Sequence, residues 1–452
     1  MATHRRLRSA FIPAHIAVLV LGAAACGGSH GSSAGAGKPG WNDTAVNAVS
    51  RPVIGSGVTA VTALRPDGQL QTVVSDVADG KRLWARPAVI SGRPAAMGVA
   101  PPAVAGQAGQ AGQPIVASVE AHGHGAALVG RDVRTGAQRW TRNVGTTFGP
   151  AQCGTMLCLS ESTARKSADF AVLNPATGKS AWHLPGVAEV EWAGPGRVVV
   201  FRMSAHPSVE AHDLATGKEI WTFPVESALG NGADLSGGWA FGSAGDALIG
   251  YLAPYQTRAN GPLSSFGFFS LRLSDGKQQW ARKRLLRVYP SANPAVSLIT
   301  REVDGADRYG GFTELDPHTG RSVSRLTTTG TPQTNWWLAF PPDLSAVGFL
   351  AHDQPGKMYD LRTGHAVGGH APAWSFCTTK PAPLKITGKQ GFYPVAALCP
   401  FDLKTGKRLD AASTVPPAWY TGAVGGWRVW RDERGGLHGV HDGGGTSPGM
   451  YQ

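Results

Sequence analysis

The sequence predicts an all-β protein, a ring of small antiparallel sheets carried behind an export signal. Three observations lead there. Glycine (61) and proline (32) make up about a fifth of the 452 residues, too many helix breakers for a coiled coil or helical bundle. Hydrophobic residues reach 42% and charged residues only 16%, too apolar a balance for a disordered chain. A short turn motif also recurs along the chain. The length fits about three ordinary domains or one large repeat ring.

Residues 1–25 read as a signal peptide. Arg5, Arg6 and Arg8 precede an apolar run at 11–25, shorter than the ~20 residues a spanning helix needs. The Arg5-Arg6 pair leaves a twin-arginine export route open beside the general one. Cys26 follows Ala23-Ala24-Ala25, which resembles the lipobox of bacterial lipoproteins, where the cysteine is lipidated and becomes the first mature residue. That family prefers Leu three residues before the cysteine, where this chain has Ala23. Three alanines also suit an ordinary signal peptidase, which would release a secreted protein. Residues 26–45 are read as a lipid-anchored tether, with the Gly/Ser-rich stretch GGSHGSSAGAGKPG at 27–40 supplying its flexibility. The expected location is the outer face of the cell membrane, with secretion as the alternative. If Cys26 takes the lipid, four cysteines remain. Cys153 and Cys158 lie five apart, and Cys377 and Cys399 flank a stretch long enough for a pair of strands, so two local disulfides are expected in an oxidising compartment.

The body of the chain is a repeat. An apolar strand leads into Asp, two residues, Thr or Asp, Gly, three residues and Trp. The copies are Asp76–Gly80–Trp84, Asp132–Gly136–Trp140, Asn174–Gly178–Trp182 and Asp213–Gly217–Trp221. A fifth, weaker at its start, keeps Asp275, Gly276 and Trp280. Asp316–Gly320, Asp360–Gly364 and Asp402–Gly406 keep the turn without the Trp. Successive glycines are spaced by 56, 42, 39, 59, 44, 44 and 42 residues. Asp accepts hydrogen bonds from the amides of the turn it opens, and Gly supplies the positive φ that closes it. The Trp sits on the outgoing strand, where burying its ring against another sheet is worth roughly 1.5–3 kcal/mol. A sheet of four strands has two apolar faces, and radial stacking covers both.

This motif, with its period and its Trp, resembles the quinoprotein-type or PQQ-like β-propeller repeat over residues 50–445. The resemblance implies four-stranded blades around a central channel, with the Asp–Thr–Gly turn joining the last two strands of each. Eight turns predict eight blades, with seven as the alternative. The propeller is placed at 46–445, with a tail at 446–452. A last hairpin, Trp427–Asp432 and Leu437–Asp442, is expected to close the ring with strands near 50–64. Long spacings put insertions at 86–115 and 224–265, on loops at one face.

Fold alone does not assign chemistry. The quinone-dependent enzymes that share this repeat would imply adjacent cysteines, Glu and Asn for Ca²⁺, an Asp base and, in some, Cys-x-x-Cys-His. No position here matches these. Thr177-Gly178-Lys179-Ser180 lacks the Gly of a phosphate loop, since Leu173 takes that place. Gly27-Gly28-Ser29-His30-Gly31 lies in the tether, where no nucleophile elbow forms. His122 and His124, near Glu120, could face one side of a strand, but flanking glycines favour a hairpin tip. His206, His212, His438 and His441 show no metal spacing. Trp336, Trp337, Trp374, Trp419, Trp427 and Trp430 fall outside the repeat position and are read as further packing or as a surface for a peptide or sugar.

The net charge is +12, or +9 without Arg5, Arg6 and Arg8. Outside a membrane this favours anionic lipid headgroups or wall polymers, and the compartment argues against nucleic acid. The basic residues are mostly scattered, with one cluster at Arg282, Lys283, Arg284 and Arg287. The expectation is therefore a non-enzymatic cell-surface platform for a protein or small ligand at one propeller face, with no cofactor, no metal and no catalytic residue. The alternative is a degenerate quinoprotein-type enzyme using the channel. The resemblance extends to the propeller lipoprotein of the outer-membrane barrel-assembly machinery, a scaffold, and to the sensor domains of bacterial Ser/Thr kinases.

Overall fold

The computed structural model describes residues 40–443 apart from 91–98, 107–113, 124, 164–165, 187, 257, 259–260, 288–297, 305–308, 327–336, 343–344, 352–353, 369–371, 379–381, 387–388, 394–395 and 412–413. Cys26 and the signal lie outside these residues.

The described chain forms a single β-propeller. Seven successive four-stranded antiparallel sheets cover 53–88, 103–144, 146–185, 188–224, 239–283, 285–326 and 337–367. An eighth sheet joins Ala373–Thr378, Ala396–Asp402 and Lys407–Arg408, with a separate hairpin, Ala382–Ile386 and Lys389–Tyr393, inserted between its first two strands. A ninth joins Trp427–Arg431 and Leu437–His441 to Trp41–Asp43. First strands of neighbouring sheets touch: Val53–Gly55 meets Ala103–Ala105, which meets Thr146–Cys153, which meets Ala188–Gly194, which meets Trp239–Ala244. That places the first strands around the axis and the last strands outside.

The ring has nine blades, not the expected eight or seven, and one more than propellers typically reach. The ninth escapes a count of turns because it is assembled from both ends of the described chain. The final hairpin does not pair with strands near 50–64. Its partner is Trp41–Asp43, within the residues first given to the tether, with Trp41 opposite Gly439 and Asp43 opposite Leu437. Trp41 stands where a repeat Trp belongs but has no Asp–Gly turn before it.

The repeat residues explain how sheets join. In the turns, the Asp carboxylate accepts from backbone amides, as Asp132 does from Arg134 N at 3.0 Å and Thr135 N at 2.9 Å. Burial opposes the charge on Asp132, but the Arg139 guanidinium and these turn donors prevail and hold its carboxyl at about 2. Each Trp crosses to the next blade and donates its indole N–H to the carbonyl one residue into that blade's turn. The six bonds are Trp41 to Val77 (2.7 Å), Trp84 to Val133 (3.0 Å), Trp140 to Pro175 (2.7 Å), Trp182 to Leu214 (2.8 Å), Trp221 to Leu273 (3.1 Å) and Trp280 to Pro317 (3.0 Å). The ring lies flat on the turn glycine. A Cβ on Gly80 would come within 2.5 Å of Trp41, and one on Gly136 within 2.8 Å of Trp84. Glycine is thus required by its positive φ and by the indole above it.

Where the Trp is lost, other side chains fill the seam. Ser324 occupies the position over Gly364. The sixth and seventh blades meet through Phe312 and Phe349, with ring centroids 4.8 Å apart. The seventh and eighth meet through Met358, Ala397 and Phe401. The eighth and ninth meet through Trp374 and Trp430, edge to face at 6.1 Å. Trp374, Trp427 and Trp430 are therefore buried packing residues.

Two glycines separate backbone strain from the indole contact. Gly136 has φ 67° beneath Trp84, whereas Gly196 has φ 70° with nothing within 4 Å. Gly196→Ala is expected to cost about 1 kcal/mol from the backbone alone, and Gly136→Ala about 2–4 kcal/mol because the indole must also move. Urea denaturation midpoints measure the difference, and equal costs would show that the ring–glycine contact contributes nothing.

Candidate functional site

Strand order defines two faces. The Asp–Gly turns of the first seven blades, which follow the third strand of each, lie on one. The loops between second and third strands, and the crossovers between blades, lie on the other. Two features outside the repeat gather near this second face at the fourth and fifth blades.

The first is a pair of carboxyl groups close to the axis. The innermost strand of the fourth blade, Ala188–Gly194, carries Glu189 opposite Phe201, and a bulge between Val190 and Trp192 leaves Glu191 as the extra residue. Phe201 in turn packs on Trp239 of the next blade's innermost strand, with ring centroids 5.4 Å apart. Glu191 is 1% exposed. Burial pushes Glu189 up to about 7 against the pull of the Trp239 indole N–H. Burial raises Glu191 well above the carboxylate range, and the neighbouring Glu189 charge raises it further. Such a pair can retain a proton at neutral pH. In the sequence the pair shows only as two acidic residues, Glu189 and Glu191, in an otherwise apolar strand.

The second feature is the insertion at 224–265. Its two halves, the crossover after Glu219–Pro224 and the loop after Ala247–Leu252, are stitched together. Ser265 N donates to Gly232 O at 2.9 Å and Ser265 Oγ to Asn231 O at 2.6 Å. Ser264 N donates to Tyr255 O at 2.8 Å, and Tyr255 N to Ser264 Oγ at 2.9 Å. Asp234 caps the short turn Leu235–Gly237 through Ser236 N at 2.8 Å. Beneath, Val225 and Leu229 join the buried cluster containing Trp239, so the loops rest on the blade core. Between them is an open depression of about 350 Å³, with Tyr255, 37% exposed, beside Asn231, Asp234 and Ser264. An aromatic face with nearby amide, hydroxyl and carboxylate groups suits a polar ligand or a partner loop.

The residues singled out from the sequence are spread around the ring. Asp76, Asp132, Asp213, Asp316, Asp360 and Asp402 and their glycines lie in the turns of different blades; Gly80, Gly136 and Gly320 among them meet the indole of the neighbouring blade. Cys153 is bonded to Cys158 within the third blade, and Cys377 to Cys399 within the eighth. His122 ends its strand at a hairpin tip, and His124 lies outside the described residues. His206 faces Glu226 at 3.3 Å. His212 is buried between Glu210 and the Gly217 carbonyl. His438 bridges Asp432 at 2.8 Å and Asn42 at 2.7 Å, tying the closing strand to the final hairpin. His441 packs against Trp427. The basic cluster divides: Arg282 donates to Gly320 O at 2.8 Å, while Arg284 covers Phe266 and reaches Val303 O. The side chain that hydrogen-bonds to the carboxyl pair is the Trp239 indole, not the Asn that quinone and Ca²⁺ binding would imply, so these residues do not fit that cofactor set.

Among the described residues, no helix is long and apolar enough to cross a membrane. No family model matches the sequence, and no curated protein matches it. Solved structures do. BamB from Moraxella catarrhalis is similar at 13% identity and a TM-score of 0.47, over 87% of this chain and 99% of that one. A quinohemoprotein alcohol dehydrogenase from Pseudomonas putida is similar at 11% identity and a TM-score of 0.40, over 91% and 77%. A europium-containing methanol dehydrogenase is similar at 12% identity and a TM-score of 0.30, over 88% and 79%. At such scores the architecture rests on the chain's own strand pairing.

The carboxyl pair predicts a pH dependence. Both groups bind a proton more tightly in the folded chain than an ordinary Glu at about 4.3. Their contribution is therefore full below about pH 4, and the share of Glu189 is lost as pH rises through about 7. The Glu189→Gln/Glu191→Gln variant is expected to match the parent near pH 4 and to exceed it by about 1–3 kcal/mol at pH 8. Denaturation midpoints at the two pH values check this, and a parent that gains on the variant toward pH 8 contradicts it.

Proposed function

We propose that the chain is a non-enzymatic cell-surface lipoprotein, anchored through Cys26, whose propeller presents a protein-interaction or ligand-binding platform on the loop face. The observation that carries this reading is where the chain enters the ring. Trp41–Asp43 runs antiparallel to Leu437–His441, so its first residue lies at the end where the Asp–Gly turns are. Cys26 is fourteen residues upstream of Gly40. A lipid there holds the turn face toward the bilayer. The opposite face, with the stitched insertion and Tyr255, then points outward. Rigidity also supports the reading, since loops already bonded to one another lose little freedom on binding.

The carboxyl pair near the axis favours the second reading, a degenerate quinoprotein-type enzyme, only as a source of proton transfer.

Cys26→Ser is expected to move the protein from the membrane to the soluble fraction. In the anchored protein, a photo-crosslinking residue at Tyr255 is expected to capture a partner that one at Lys218, on the turn face, does not. Capture at Lys218 alone would overturn the orientation. Dye reduction by the purified chain supplied with quinone and Ca²⁺ would overturn the non-enzymatic reading.

A further inference from the structure

The seam between the eighth and ninth blades carries a chemistry that the platform reading does not use. Cys377, on the first strand of the eighth sheet, and Cys399, on the second, are buried and disulfide-bonded, with Cα atoms 5.9 Å apart. Glu433 reaches them from the turn between Trp427–Arg431 and Leu437–His441 of the ninth blade. Its Oε2 lies 3.8 Å from Cys399 Sγ. The two sulfurs and the Glu433 carboxylate all lie within 4.8 Å of one another, the one such convergence of three His, Cys, Asp or Glu ligand atoms among the described residues. Glu433 is half-buried and is ion-paired with Arg408, which follows the Asp402–Gly406 turn.

We propose that, in the dithiol state, Cys377, Cys399 and Glu433 form a three-ligand site for Zn²⁺ or a metal of similar softness, so that disulfide and metal are alternative occupants of one seam. Two thiolates and a carboxylate are a ligand set Zn²⁺ accepts, at about 2.3 Å to sulfur and 2.0–2.2 Å to oxygen. Those bond lengths set tetrahedral edges of about 3.5–3.8 Å. The Glu433–Cys399 separation already matches this, and a Cα spacing of 5.9 Å lets the sulfurs reach it by side-chain rotation. The half-buried side of Glu433 leaves the fourth position to water. Charge also closes: two thiolates and a carboxylate balance a divalent ion together with the Arg408 guanidinium. The redox step balances with a phosphine as reductant. The S–S bond breaks, each sulfur gains hydrogen, and the phosphine takes oxygen from water to become its oxide. Metal binding then releases the two thiol protons. Metal and disulfide each fix two strands of the eighth blade, and the metal adds the ninth through Glu433, at a seam with no repeat Trp.

The test uses the full chain, reduced anaerobically with a phosphine and titrated with Co²⁺, then Zn²⁺. One Co²⁺ per chain is expected, with a thiolate-to-cobalt charge-transfer band that Zn²⁺ abolishes. The Cys153→Ser/Cys158→Ser variant keeps the band, Cys377→Ser/Cys399→Ser loses it, and Glu433→Gln weakens binding by about tenfold or more. The oxidised chain shows none. The proposal is overturned by absence of the band in the dithiol protein, by its persistence in Cys377→Ser/Cys399→Ser, or by unchanged affinity in Glu433→Gln. It is equally overturned if reduction abolishes the β-sheet circular dichroism and Zn²⁺ does not restore it.

Discussion

An indole lying on a glycine of the next sheet is the contact on which this ring depends. Each sheet is apolar on both faces, so it is stable only between two neighbours. The turn glycine has no Cβ, which lets Trp84 settle on Gly136 and Trp41 on Gly80. The indole N–H, which would be costly to bury unpaired, finds the turn carbonyl beneath it, as Trp84 finds Val133 O at 3.0 Å. The Asp that opens the turn holds that carbonyl in place through its own hydrogen bonds to the turn amides. Asp, Gly and Trp are therefore one device, split between two blades.

The device is used unevenly. Six seams carry it, from the ninth blade through the first to the sixth. The other three rely on Phe312 against Phe349, on a shared buried cluster of Met358, Ala397 and Phe401, and on Trp374 against Trp430. The second disulfide, the inserted hairpin and the Glu433 contact all fall in this second arc. Ring closure, in contrast, lies in the first arc. Trp41 bonds to Val77, and His438 links Asn42 to Asp432. Because the closing strand enters from the turn side, chain entry and the insertion loops lie on opposite faces of the ring.

Much of this was legible in the residues. Eight recurring turns ending in glycine carried the resemblance that implied four-stranded blades, and the cysteine spacings anticipated both pairings seen in the ring. The ninth blade was not legible as a repeat. Its Trp lies about four hundred residues from its companion strand, and no turn joins them, so a scan for Asp-x-x-Thr-Gly passes over Trp41. The site was less legible than the fold. Glu189 and Glu191 look like ordinary strand residues until Trp239 of the next blade closes over them, because their unusual protonation comes from burial and mutual repulsion rather than from a motif. Glu433 gives no local sign of Cys399, since the two meet across a seam between blades.

A double-mutant cycle on the closing seam tests the central claim most directly. Trp41→Ala and Gly80→Ala are compared singly and together by urea denaturation. If the indole on the glycine holds the ring shut, Gly80→Ala costs several kcal/mol in the parent but only about 1 kcal/mol, its backbone strain, once Trp41 is gone. Additive costs, with Gly80→Ala equally damaging in both backgrounds, would contradict it.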